Sequence, residues 1–127
     1  MAGVVAVAAW TVLRWKPFRV EIAGPSMRPA LEPGDWALAV APSRIRRGGV
    51  VVVEHPARPG FEMVKRVAAV PGDAAPDGRV LGADEFWVEG DASDASTDSR
   101  AFGPVGRANV KGSVRFVYWP PQRRRFV

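Results

Sequence analysis

Apolar residues in this chain fall in short bursts rather than at helical spacing. Arg19 to Ile22 alternates polar and apolar before breaking at Gly24-Pro25, the period-two signature of a strand. Trp36 to Val40 and Val50 to Val53 are apolar runs bounded by Pro33-Gly34-Asp35 and Arg47-Gly48-Gly49, which predicts buried strands between turns. Glu62 to Val70 reads as a longer strand that stops at Pro71-Gly72-Asp73, and Phe86 to Glu89 and Val114 to Trp119 close the set. Ala74 to Gly82 is small, polar and turn-rich, so a loop or minor hairpin is expected there. The basic tail, residues 121–127, is expected to be extended and poorly ordered. The first segment differs from all of these. Met1 to Leu13 carries no charged side chain, yet 13 helical residues reach only about 20 Å, short of the roughly 30 Å hydrocarbon core of a bilayer.

Composition narrows the chemistry. The 127 residues suffice for one domain, and 12 prolines and 13 glycines suit short strands joined by turns rather than long helices. No cysteine is present, which removes disulfides, thiol nucleophiles and thiolate zinc sites. A single histidine, His55, removes a His-cluster metal site and means any Ser–His–Asp triad must pass through it. The net charge of +5 is clustered, at Arg14, Lys16 and Arg19 and again at Arg123, Arg124 and Arg125. No helix-turn-helix, RNA-recognition or zinc-finger pattern accompanies these clusters. With Trp10 and Trp15 beside the first of them, the expectation is contact with a membrane surface through residues 1–15, and no nucleic-acid partner. The same charges oppose export of the domain on their C-terminal side, because basic flanks tend to stay cytoplasmic.

Three segments carry chemistry. Ser26 sits between Pro25 and the Met27-Arg28-Pro29 turn, after a strand, where a hydroxyl can be held outward; alone it is one turn serine among many. On the strand Glu62 to Val70, alternation puts Met63, Lys65 and Val67 on one face and Val64 and Arg66 on the other. A lysine in that position either snorkels to water or is buried with a lowered pKa, gaining tenfold in free base for each unit. The run Gly90-Asp91-Ala92-Ser93-Asp94-Ala95-Ser96-Thr97-Asp98-Ser99-Arg100 is a hydrogen-bonded loop whose acidic spacing does not follow a calcium-loop pattern. Neither metal nor cofactor is called for.

Taken together and in this order, G-P-S-M-R-P-A-L-x-P-G-D, V-K-R-V-A-A-V-P-G-D and G-D-A-S-D-A-S-T-D-S-R-x-F-G-P-V resemble the signal peptidase I family from about Ile22 to Pro120. The resemblance implies a compact, coiled β-sheet or barrel-like catalytic fold over residues 16–120, similar to the mitochondrial inner-membrane peptidases in lacking a large second domain. It implies Ser26 as nucleophile, Lys65 as general base and Ser96 as the hydroxyl that orients the lysine. Asp98 with Arg100, and Arg66 with Asp91, would support the site. Ile22, Met27, Leu31 and Val64 fall where the family lines shallow pockets for small side chains at the first and third positions before the cut. The oxyanion would be held by the Ser26 N–H, and Gly24 supplies no side-chain donor where the family has a helper. Gly49, Ala92 and Ala95 also depart from the family's usual Asp and Asn residues. His55 is expected at the surface, away from the chemistry.

The implied activity is a serine endopeptidase that removes signal or leader peptides at a bacterial cell membrane. Its partner would be a precursor polypeptide bound as an extended strand. Alternatives are a dedicated maturation protease for one precursor, since small proteases that trim nickel superoxide dismutase precursors look similar, with the cytoplasm as its place, or a catalytically weak peptide-binding homologue.

Overall fold

The computed structural model describes residues 16–127. Their strands are β1 (Phe18–Glu21), β2 (Trp36–Val40), β3 (Val50–Glu54), β4 (Glu62–Ala69), β5 (Glu85–Glu89), β6 (Val105–Gly106), β7 (Val110–Trp119) and β8 (Arg125–Phe126). Among the described residues, one short α-helix, α1 (Ser99–Phe102), precedes β6. The strands form one antiparallel sheet in the order β1-β2-β7-β3-β4-β5-β6, with β8 added against β7. The mostly β expectation holds, but the sheet is not closed into a barrel: β1 and β6 end it on opposite sides. Register shifts along β2–β7, β3–β7 and β4–β5 bend it, as extra residues in a ladder do.

The coil explains why β3 reads as four consecutive valines. Val50 and Val52 pack with Ile22, Met27, Leu31 and Val117, while Val51 and Val53 pack with Val67, Phe86 and Val88. A strand with a core on each face has no solvent side to mark with polar residues, so alternation disappears. Burying each valine is worth about 1.5–3 kcal/mol before entropy is charged against it. Where β7 passes β1, a Cβ on Gly112 would meet the Phe18 ring at 2.5 Å, so the absence of a side chain there lets the two strands close.

The tail departs from expectation. Residues 121–123 form a 3-10 turn and Arg125–Phe126 pairs with Phe116 and Val117 of β7. Arg123 explains the return: its guanidinium donates to both carboxylate oxygens of Asp35, at 2.8 and 3.0 Å. Asp35 is 1% exposed, and a buried carboxylate needs a counter-charge. The sequence shows an arginine run there, not which arginine answers a carboxylate 88 positions away. The expected membrane segment, residues 1–15, lies outside the described residues. Within those described, no helix is long and apolar enough to cross a membrane.

Candidate active site

Ser26 is placed by a loop closed at its neck. After β1, the Ile22 N–H donates to Asp35 O and the Gly34 N–H to Ile22 O, each at 2.8 Å. Within the loop, Met27 and Leu31 are anchored in the core at 1% and 0% exposure. Two turn bonds, Arg28 N–H to Pro25 O and Leu31 N–H to Met27 O, fix the backbone between. The anchors point inward, and Ser26 is left half-buried at the surface of the loop.

Lys65 comes from the middle of β4, opposite Val51 of β3, and is 3% exposed. Its Nζ donates to Ser96 Oγ at 2.9 Å, and Ser96 Oγ donates in turn to Asp98 Oδ2 at 2.8 Å. Because the serine proton is committed to Asp98, its lone pairs are what face the lysine. Asp98 also accepts from the N–H groups of Gly90 and Arg100 and from the Arg100 guanidinium. These contacts decide the charges. Burial would raise the Asp98 pKa, but the hydrogen bonds from Arg100, Gly90 and Ser96 outweigh it and hold the carboxyl well below the usual range. For Lys65 burial is the leading cause, pushing the ammonium below its ordinary 10.5; the Asp98 charge opposes the shift and the Arg100 charge adds to it. The result is a lysine with easier access to its free base.

The loop after β5 approaches the Ser26 segment closely. Ala92 N–H donates to Ser26 O at 2.8 Å. A Cβ on Gly90 would lie 2.7 Å from Ser26 O and 2.6 Å from Ser96 Cβ, closer than real atoms approach, so only glycine fits between Ser26 and Ser96. Arg66, on the opposite face of β4, braces this loop: its Nε and Nη2 bind Asp91 at 2.9 and 2.8 Å, and its Nη1 binds Gly48 O at 2.8 Å.

Ser26 and Lys65 open onto one cleft of about 360 Å³, which Ile22, Met27 and Val64 also line. Among the hydrogen bonds of the described residues, none joins Ser26 Oγ to Lys65 Nζ; the lysine is engaged with Ser96. Leu31 does not line the cleft, being fully buried with Ile22 and Met27. Sequence reading missed Gly90 and the Ala92 N–H as positioning groups, and Phe61, Met63 and Thr97 as cleft residues. The Gly-Asp pair at the end of β5 was the available signal for the first. His55 is not a plain surface residue: its ring packs 4.7 Å from Phe102 and 6.3 Å from Phe61, and its Nδ1 accepts from Ala57 N–H. It does not line the cleft.

A half-buried serine and a buried, desolvated lysine thus lie on one cleft of a β-sheet. The sequence pattern described as "Signal peptidase, peptidase S26" matches residues 1–76 and 74–119, and the chain belongs to that family, a signal peptidase-type hydrolase. It is 33% identical to mitochondrial inner membrane protease subunit 2 of Danio rerio, over 89% of this chain and 70% of that protein. Against subunit 1 of Homo sapiens the identity is 32%, covering 80% and 69%. Mitochondrial ATP-independent inner membrane protease subunit 1a of Arabidopsis thaliana is 35% identical, covering 78% and 68%.

Proposed function

We propose that the chain is a Ser–Lys endopeptidase that removes leader peptides after small residues, working at a membrane surface. The observation that carries this reading is the cleft shared by Ser26 and a 3%-exposed Lys65 whose pKa is lowered by burial. Free-base Lys65 takes the Ser26 proton as Oγ attacks the scissile carbonyl, giving a tetrahedral oxyanion held by the Ser26 N–H. Collapse breaks the C–N bond, and Lys65 returns the proton to the leaving amine. Lys65 then deprotonates a water, which attacks the Ser26 ester; collapse releases the leader's new carboxylate, and the proton goes back to Ser26. Ser96 and Asp98 orient Nζ throughout. Gly24 contributes no donor to the oxyanion.

Substrate placement comes from the sheet. Among the described residues β1 ends the sheet, and one row of its backbone groups has no strand partner there. A groove of about 290 Å³ runs between β1 and Glu62, Met63 and Val64 of β4, and shares those three residues with the Ser26 cleft. An extended leader segment pairs there by strand addition, with Ile22, Met27 and Val64 leaving room only for small side chains. Names of relatives that place them at a mitochondrial inner membrane support the membrane reading, as does the apolar Met1 to Leu13 segment. The test is peptide cleavage. A peptide with alanine at the first and third positions before the cut is hydrolysed, and leucine at either position stops it. Ser26→Ala and Lys65→Ala each abolish the activity and combine non-additively, because either removes the same proton-transfer unit. Retained cleavage in either single variant sinks the dyad.

A further inference from the structure

We propose that the chain carries an anion-binding pocket, separate from the cleft, that takes a phosphate-bearing group such as a phospholipid headgroup. The connector between β2 and β3 and the exposed side of β7 enclose a concavity of about 440 Å³ lined by Arg44, Arg46, Arg47 and Arg115. No aspartate or glutamate side chain lines it, although Val127, held by its N–H to Arg115 O, does, and it shares no lining residue with the Ser26 cleft. Among the described residues, Arg44, Arg46 and Arg115 form no ion pair, as is also true of Arg19, Arg58, Arg107, Arg124 and Arg125; what sets the three apart is that they line one concavity. Of the lining arginines only Arg47 has a partner, Asp73 at 3.0 Å.

Like charges gathered around one concavity focus a positive potential there and raise the local concentration of anions. Guanidinium groups are suited to that role, since their donor fork matches phosphate oxygens and sheds water readily. The backbone that presents them is held in place. Ile45, between Arg44 and Arg46, packs on the core. Gly49 N–H donates to Arg46 O, Gly48 pairs with Val67 of β4, and the Arg66 guanidinium grips Gly48 O. Arg107 reaches Ser43 O at the connector's other end. A connector tied down at Ile45 and at its β3 end holds the backbone of these arginines together around the concavity. The pocket offers positive charge and two serines, Ser43 and Ser113, a set that suits phosphate oxygens.

The experiment uses the full chain and compares Arg44→Gln/Arg46→Gln/Arg115→Gln with a charge-matched control, Arg58→Gln/Arg79→Gln/Lys111→Gln. Vesicles of phosphatidylcholine with and without phosphatidylglycerol measure lipid binding, and titration with inorganic phosphate followed by phosphorus NMR measures the free anion. The gain in binding from phosphatidylglycerol falls about tenfold or more in the pocket variant, each arginine near an anionic surface being worth several-fold, and largely survives in the control. Loss confined to vesicles assigns the pocket to a headgroup; equal loss toward inorganic phosphate assigns it to the free anion. Equal falls in both triple variants, or no gain from phosphatidylglycerol and no phosphate binding in the parent chain, overturn the proposal. It does not depend on peptidase activity.

Discussion

At the scale of single residues, the proposed mechanism turns on how one lysine gains access to its free base at usable pH without losing its place. Burial depresses Lys65, Asp98 restrains the depression, and Ser96 fixes the direction of Nζ. These opposing influences set the sign of the pH dependence. With free-base Lys65 as the proposed reactive form, kcat/KM is expected to fall as pH drops through the lowered Lys65 pKa, and Lys65→Arg to be inactive because a guanidinium does not release its proton. Asp98 raises the Lys65 pKa, so Asp98→Asn moves that acid limb to lower pH in whatever enzyme folds; a shift to higher pH contradicts the assignment of charges. Stability has the same slope. Both groups have folded pKa values below their unfolded ones, so the unfolded chain binds more protons in each window and stability rises with pH there. For Asp98 it is lost only as pH falls below the ordinary carboxylate value of 3.8 towards its own lower one. Gly90→Ala forces Ser96 and Ser26 apart, and we expect it to lower both the melting temperature and kcat; unchanged kinetics would show that the contact positions nothing. The serine and lysine were legible as motifs. Gly90 is visible within its motif, but its role is not, because a close approach between two loops leaves no local pattern.

Elements were legible where burial is one- or two-sided along a strand. β2 runs as expected, and β1, β3, β4 and β5 differ from expectation by a residue or two at their ends. β7 begins at Val110, four residues before the expected Val114, and passes through Gly112, where the Phe18 ring leaves no room for a Cβ. β6, of two residues, and α1, of four, are too short to show a period. The tail is the clearest failure, and it carries a prediction. Arg123→Ala leaves buried Asp35 without its guanidinium partner, so thermal unfolding shifts down although residue 123 is far from Ser26 in sequence. Asp35 has a lowered pKa: burial raises it, but the Arg123 hydrogen bond and charge and the Glu32 N–H outweigh that. The stabilisation is therefore present above 3.8 and lost on acidification. The melting temperatures of parent and variant should converge at low pH; a constant gap contradicts the pairing.

For the whole molecule, a basic chain with an apolar N-terminal segment carries the proposed endopeptidase cleft between the segment after β1 and β4. Deleting residues 1–15 should release the protein from neutral vesicles in co-sedimentation while peptide cleavage persists; parent protein that stays in the supernatant even with anionic lipid contradicts the membrane reading. The central claim, that Ser26 is the nucleophile activated by Lys65, is tested most directly by trapping the acyl-enzyme. The full chain is mixed with a peptide bearing alanine at the first and third positions before the cut, quenched in acid and weighed intact, then digested to map the adduct. The account predicts a mass gain equal to the leader fragment as an ester on Ser26, absent from Ser26→Ala and from Lys65→Ala. An adduct on another residue, or turnover in the Ser26→Ala protein, would contradict it.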